Sequence, residues 1–91
     1  MLTVENQITI TAEFDNRYIN QMVDTLAKKT SSSIYIAKDS SRQVAMKSLI
    51  GLLSGGFKKG DEVKLTVISE DEHIANRDLK LVEGLLNGEQ D

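Results

Sequence analysis

The amino-acid sequence predicts an α+β fold, an open-faced β-sandwich in which three helices cover one face of a four-stranded antiparallel sheet. Two kinds of hydrophobic spacing predict it. Apolar residues recur at every second position in four segments, as in strands with one buried face, and at helical spacing in three others. The segments follow the order β-α-β-β-α-β-α, which favours helices on one face of the sheet and solvent on the other.

The first strand and the first helix have the clearest spacing in the N-terminal half. Leu2 to Thr11 alternates between apolar and polar residues, and the strand is predicted most securely from Gln7 to Ala12. Asp15 or Asn16 is a suitable N-cap for the helix that follows. Its predicted buried stripe is Ile19, Met22, Val23, Leu26 and Ala27.

The next two strands predict a hairpin with a loop longer than two residues. Ser33 to Ala37 and Arg42 to Met46 are the strands, and Lys38 to Ser41 is the turn between them. The predicted inward residues are Ile34, Ile36, Val44 and Met46.

The second helix is short and has more apolar residues than one buried face requires. Ser48 begins it and Gly55-Gly56 ends it. Consecutive apolar pairs, at 49–50 and 52–53, cover more than one side of the helix. Some of these side chains are therefore expected to be exposed to solvent unless a partner protein covers them. The serine hydroxyl can cap the helix, and a phosphate would also be favoured there.

The C-terminal third predicts a strand and a long helix. Glu62 to Ser69 alternates, with Val63, Leu65 and Val67 on the buried side, and Ser69 to Glu72 reads as a capping box. The helix has the stripe Ala75, Leu79, Val82 and Leu86. On the open face of the sheet we expect Thr9, Thr11, Tyr35, Lys64 and Thr66. We expect one domain over residues 1–88 and a frayed tail over 89–91.

Composition excludes several classes of function. The 91 residues contain no cysteine, so neither a disulfide nor a thiolate metal site is expected. A net charge of −3 with only two Phe and two Tyr argues against direct nucleic-acid binding. No apolar run is long enough to span a bilayer and the N-terminus does not resemble a signal peptide, so we expect no membrane association and a cytoplasmic location.

No residue cluster predicts an active site, a metal site or a cofactor. The single histidine, His73, lies in an acidic first helical turn and is expected to be solvated. The consecutive residues Glu70 to His73 would diverge on a helix, so they do not predict a metal cluster. Gly55 to Gly60 lacks the spacing of a phosphate loop and follows a helix. We therefore expect a protein that is not an enzyme.

The segment Val44 to Ser54, VAMKSLIGLLS, resembles the regulatory-serine segment of HPr, the phosphocarrier of the sugar phosphotransferase system. The family pattern there is close to V-x-x-K-S-[IL]-[ML]-G-[VL]-[ML]-[ST]. Lys59-Gly60 and the strand that follows also fit the family spacing, and the resemblance covers nearly the whole chain. It implies an HPr-like fold with the element order given above.

The sequence departs from the family at the catalytic signature. The H-x-R-P motif should fall within Asp15 to Ile19, where there is neither histidine nor proline. In the register set by residues 26–29, Asn16 replaces the histidine and Tyr18 the arginine; a shift of one position would let Arg17 stand in for the arginine. An amide is not a phosphoryl acceptor, so the resemblance implies that phosphocarriage by histidine is lost.

The resemblance then implies a histidine-less, Crh-like paralogue acting in catabolite repression. Ser48 would be phosphorylated by HPr kinase/phosphorylase, and the phosphoprotein would act as a corepressor with the regulator CcpA. The implied partner-binding residues are Lys47, Leu49, Ile50, Leu53, Arg17 and Tyr18. Two alternatives stay open: a docking module that is not phosphorylated, and a phosphocarrier with another acceptor, such as Asp15 as an acyl phosphate.

Overall fold

The sheet has four strands in the order β1-β4-β2-β3, and each neighbouring pair is antiparallel. The computed structural model describes residues 1–39 and 42–89. Its strands are β1 (Leu2–Thr9), β2 (Ser33–Lys38), β3 (Val44–Ala45) and β4 (Glu62–Ser69). Its helices are α1 (Asn16–Lys29), α2 (Leu49–Ser54) and α3 (Glu72–Leu86). The predicted α+β class and the β-α-β-β-α-β-α order are confirmed.

The core lies between the sheet and the helices. β4 is the central strand, and Leu65 faces Asn6 of β1 on one side and Ile36 of β2 on the other. The alternation in β2 and β4 sends every predicted inward residue of these strands into the core, because successive side chains leave a strand on opposite faces. The helices contribute apolar residues, listed from α1 to α3: Ile19, Met22, Leu26, Leu52, Ala75, Val82, Leu85 and Leu86.

Two strands are shorter than predicted. β1 ends at Thr9 because the next backbone groups bond elsewhere: the N–H of Ile10 donates to Asp61 O, and those of Thr11 and Ala12 donate to Leu86 O. β3 contains two residues, because the chain turns into α2 directly after Met46. The hairpin itself is confirmed by the pairing of β2 with β3.

The helix caps agree with prediction at α1 and differ at α3. Asp15 caps α1, and its carboxylate accepts the N–H of Tyr18 at 2.8 Å. The predicted capping box at Ser69 is wrong. Asp71 is the N-cap of α3, and its carboxylate accepts the N–H groups of His73 and Ile74. An aspartate directly before the first turn reaches these donors without the two residues that separate Ser69 from the helix.

Two side chains have an environment other than the predicted one, and a third, for which no environment was predicted, is an acid in the core. Thr66 was expected on the solvated face but is only 4% exposed, and its hydroxyl accepts a hydrogen bond from Gln43 Nε2 at 3.4 Å. Ala27 is exposed on α1 instead of buried. Asp78 is fully buried in the middle of the stripe of α3.

Two predictions fall partly outside the described residues. The predicted turn of Lys38 to Ser41 includes Ser40 and Ser41, which the structure does not describe. Of the predicted tail, Glu89 is described, and its backbone N–H donates to Gly84 O at 2.9 Å. None of the helices in the described part of the chain is long and apolar enough to cross a membrane.

Candidate functional site

Ser48 is the N-cap of α2. Its Oγ accepts the backbone N–H of Gly51 at 3.1 Å, which satisfies one of the free donors of the first helical turn. Its own N–H donates to Ala45 O at 3.0 Å. The hydroxyl is therefore held at the start of α2, and the residue is partly exposed there.

Gly51 keeps the surroundings of this hydroxyl open. A Cβ at position 51 would lie 2.9 Å from Val44 Cγ1 and 3.1 Å from Ser48 Oγ. Because glycine has no side chain, Val44 packs directly against α2 and the space beside the serine oxygen stays free. This packing gives a structural reason for the glycine between the two apolar pairs of α2.

Two apolar side chains of α2 face solvent. Ile50 is 80% exposed and Leu53 is 42% exposed, and their spacing of three residues places them on one side of the helix. We call these two residues the α2 patch. Leu52 is buried and Leu49 packs partly against the core, so α2 divides its leucines and isoleucine between the core and the surface. The excess of apolar residues noted in the sequence is thus exposed at two of the four positions.

Lys47, which directly precedes the serine, is engaged inside the fold. Its ammonium donates to Ser32 O at 3.0 Å and to Thr30 O at 3.3 Å, in the segment that joins α1 to β2. These bonds satisfy carbonyl groups just beyond the C-terminus of α1. Lys47 therefore anchors the segment before α2.

The residues around the start of α1 differ in their environment. Asn16 and Arg17 are exposed, and Arg17 lines an open depression together with Asn20, Gln21 and Asp24. Tyr18 is half-buried, and its hydroxyl donates to Leu85 O at 2.6 Å, near the C-terminus of α3. Tyr18 therefore connects two helices, whereas Asn16 and Arg17 remain accessible.

A second cluster fixes the loop that follows α2. Lys38 Nζ donates to Gly56 O at 2.7 Å, lies 3.3 Å from Asp61 Oδ2, and sits 5.4 Å from the centre of the Phe57 ring. Burial alone would raise the pKa of Asp61, but the N–H of Lys58 and the Lys38 ammonium outweigh it and lower this pKa. The loop is thus held at both ends by charged hydrogen bonds.

An open depression of about 270 Å³ lies beside Ser48, between the approach to β3 and the helix α2. Residues 42–45 line one side, and Ser48, Gly51, Ser54 and Gly55 line the other. Arg42 is the only charged residue among them. Arg42 is not among the site residues predicted from the sequence; its signal is that, in the predicted strand, it has the same parity as Val44, which lies against α2.

Two further features concern titratable side chains. His73 is exposed, as expected, and no group of three or more His, Cys, Asp or Glu suited to a metal occurs within residues 1–39 and 42–89. The fully buried Asp78 accepts the N–H groups of Ser31 and Ser32 and pairs with Arg77. The sequence pattern that could have indicated its burial is the position of a single acid three residues after Ala75, within the apolar stripe of α3.

The chain is similar to known phosphocarrier proteins. A family model described as the PTS HPr component phosphorylation site matches residues 2–83. A phosphocarrier protein HPr from Bacillus anthracis superposes with a TM-score of 0.78 at 21% identity, over 93% of this chain and 98% of that one. HPr-C-His from Thermoanaerobacter tengcongensis is 31% identical over the whole of both chains, with a TM-score of 0.66. An HPr dimer from the same organism is 32% identical over 87% and 94% of the two chains, with a TM-score of 0.58. No curated protein matches the sequence.

Proposed function

The chain belongs to the HPr family of the phosphotransferase system, whose members are phosphocarrier proteins and not enzymes, and from this premise we propose that it is a regulatory, Crh-like member switched at Ser48. The observation that supports the proposal most directly is the position of Ser48 at the start of the helix that carries the α2 patch. A covalent change at this hydroxyl would alter the charge next to an exposed apolar surface without requiring the chain to refold.

The proposed modification is a phosphoryl transfer from ATP by an enzyme of the HPr kinase/phosphorylase type. Ser48 Oγ attacks the γ-phosphorus, the new Oγ–P bond forms, the bond to the ADP oxygen breaks, and the hydroxyl proton passes to a base of the kinase. The product carries nearly two additional negative charges, on a chain whose net charge is −3.

The proposed partner is a regulator of the CcpA type, which would contact the phosphorylated end of α2. Ile50 and Leu53 would supply the apolar contact, and Arg17 an exposed cation. Tyr18 and Lys47 have hydrogen bonds within the fold, so we propose that they act by positioning α1 and α2 instead of by contacting the partner. The cytoplasmic location expected from the sequence and the single-domain span of residues 1–88 are part of this proposal.

We also propose that phosphocarriage by histidine is absent. The only histidine of the chain, His73, is exposed at the start of α3. In the register described above, Asn16 occupies the family's histidine position, and an amide does not accept a phosphoryl group as an imidazole does. Asp15, the alternative acceptor, uses its carboxylate to cap α1.

The experiment is incubation of the full chain with an HPr kinase and ATP, followed by mass spectrometry of the intact protein and its peptides. We expect one added phosphoryl group on Ser48. The Ser48→Ala variant should remain unmodified, whereas Ser54→Ala, which removes a more exposed serine of the same helix, should still be phosphorylated. Absence of phosphate from Ser48 would contradict the proposal.

A docking module without phosphorylation would behave differently in a binding assay. Under that alternative, a purified CcpA-type regulator or another partner binds the wild type and Ser48→Asp equally. The phosphocarrier alternative predicts labelling of the chain by phosphoenolpyruvate and enzyme I, which the proposed function does not.

A further inference from the structure

Among the described residues that line the depression beside Ser48, one carries a positive charge. Arg42 stands on the β3 side of this space and Ser48 on the α2 side, and the other lining residues are uncharged. Arg42 is exposed, so its guanidinium has no burial cost to overcome when it moves within the depression. A cation and a modifiable hydroxyl therefore share one small open space.

The backbone on the β3 side of this space is fixed by pairing with the sheet. Val44 pairs with Ile36 of β2, and the N–H of Met46 donates to Ile34 O at 2.8 Å, so the segment that leads into α2 follows the edge of the sheet. The side chain of Gln43 reaches Thr66 in the central strand. Arg42 lies two residues before β3 and directly before Gln43, whose side chain bonds to the central strand.

The space also has room for a substituent on the serine oxygen. Gly51 presents no side chain there, and its Cβ would otherwise lie 3.1 Å from Ser48 Oγ. The nearest other cation in the sequence, Lys47, directs its ammonium to the carbonyls of Thr30 and Ser32. Of these two cations, Arg42 is the one that lines the space next to the hydroxyl.

We propose that Arg42 pairs with the phosphate of phosphorylated Ser48 across this depression and thereby fixes the orientation of the phosphate beside the α2 patch. The inference rests on the proposed function, because it requires a phosphoryl group on Ser48. A guanidinium suits the role because its planar donors match two phosphate oxygens at once, which an ammonium cannot do.

The consequence is that the residue that orients the phosphate differs from the residues that contact the partner. Arg42 is a positioning residue: it holds some of the phosphate oxygens from the β3 side and leaves the others available to a partner that contacts Ile50 and Leu53. The pair also connects the segment before β3 to the start of α2 only in the phosphorylated state.

The test is a phosphorus NMR titration of the full chain with phosphoserine installed at position 48 during synthesis. Wild type is compared with Arg42→Gln, with Arg42→Lys, and with Lys80→Gln, which removes the same charge from the exposed surface of α3. We expect the pKa of the second ionisation of the phosphate to be higher by about 0.2–0.7 units in Arg42→Gln than in wild type, because the dianion loses a cation that stabilises it, as in a partly exposed ion pair. Arg42→Lys should show a smaller rise, and Lys80→Gln none.

A second readout is the Nε–H resonance of Arg42, which should move with the same midpoint as the phosphorus signal. A phosphate that titrates identically in wild type and Arg42→Gln would overturn the inference, as would an equal shift in Lys80→Gln. Because the phosphoserine is installed without a kinase, this result is separate from the proposed function. A Ser48 that no kinase modifies, together with a shifted titration in Arg42→Gln, would refute the switch and leave the pairing intact.

Discussion

Replacement of Asp78 by alanine is expected to destabilise the protein by about 2–4 kcal/mol. The carboxylate is 0% exposed and accepts the backbone N–H groups of Ser31 at 3.2 Å and Ser32 at 3.0 Å. Hydrogen bonds to a charged group contribute about 1.5–3 kcal/mol each. Ser31 is exposed and would regain water, whereas Ser32 is buried and its N–H would remain unsatisfied. The loss of stability therefore comes mainly from the Ser32 N–H, which is left buried without an acceptor, and from the loss of hydrogen bonds to a charged carboxylate.

The ion pair with Arg77 should contribute little to this loss. The Arg77 side chain is 60% exposed, so its guanidinium is solvated once the carboxylate is gone. Arg77→Gln is the matched control, and we expect it to cost less than about 1 kcal/mol. A cost for Arg77→Gln as large as that for Asp78→Ala would show that the backbone donors are not the important partners.

The same carboxylate should make stability depend on pH. Burial alone would raise the pKa of Asp78, but the hydrogen bonds from Ser32, Arg77 and Ser31 outweigh it and lower this pKa. A group with a lowered pKa in the folded state stabilises the protein above its unfolded pKa, about 3.9, and loses that contribution as the pH falls through the folded value. The difference in stability between wild type and Asp78→Asn should be constant above about pH 5 and shrink below about pH 4.

Urea unfolding followed by circular dichroism, at pH 7, 5, 4 and 3, measures both effects. The slope with urea should be similar in all variants, so that the midpoint reports stability. A loss below about 1 kcal/mol in Asp78→Ala, or a wild-type advantage over Asp78→Asn that persists undiminished at pH 3, would refute the reasoning.

Three further predictions follow from the helices. Ile50→Ala should change the free energy of unfolding by less than about 0.5 kcal/mol and weaken binding of a partner, whereas Leu52→Ala should cost about 2–5 kcal/mol, as measured by urea unfolding. Tyr18→Phe should cost about 0.5–1.5 kcal/mol in the same assay, because it removes the hydrogen bond between α1 and the end of α3. Gly51→Ala should destabilise by about 1–3 kcal/mol through the clash with the β3 valine, whereas Gly84→Ala, whose Cβ would have its closest contact with the flexible carboxylate end of an exposed glutamate, should be neutral or stabilising.

Each of these has a distinct contrary result. A core-sized loss in Ile50→Ala would contradict its exposure, and an unchanged Tyr18→Phe would mean that the hydroxyl bond is not significant. Stabilisation by Gly51→Ala would show that Val44 can move aside.

The sequence predicts the parts of this fold whose signal is periodic. β4 extends over Glu62–Ser69, as predicted, because its alternation runs from Glu62 to Val67 and its neighbours on both sides are strands. The end of β1 was not predictable, since Ile10 continues the alternation while its backbone pairs with Asp61 and not with a strand. Hydrophobic spacing reports the burial of side chains and carries no information about the partner of a backbone amide.

The candidate site shows the same limit. The exposure of Ile50 and Leu53 follows from an excess of apolar residues in one short helix, which a count can detect. The engagement of Lys47 with two carbonyls and the position of Arg42 and Ser48 along one depression depend on how separate segments pack, and the parity that Arg42 shares with Val44 does not reveal either.

The strand order has a consequence for the chain during its synthesis on the ribosome. The central strand β4 is the last of the four to be made, and both β1 and β2 pair with it. Before Glu62 has emerged, only β2 and the two residues of β3 can pair, and every partner of β1 is still missing. A nascent chain that stops before Glu62 therefore has unpaired strand edges and no completed core, and the sheet can close only after β4 has been synthesised.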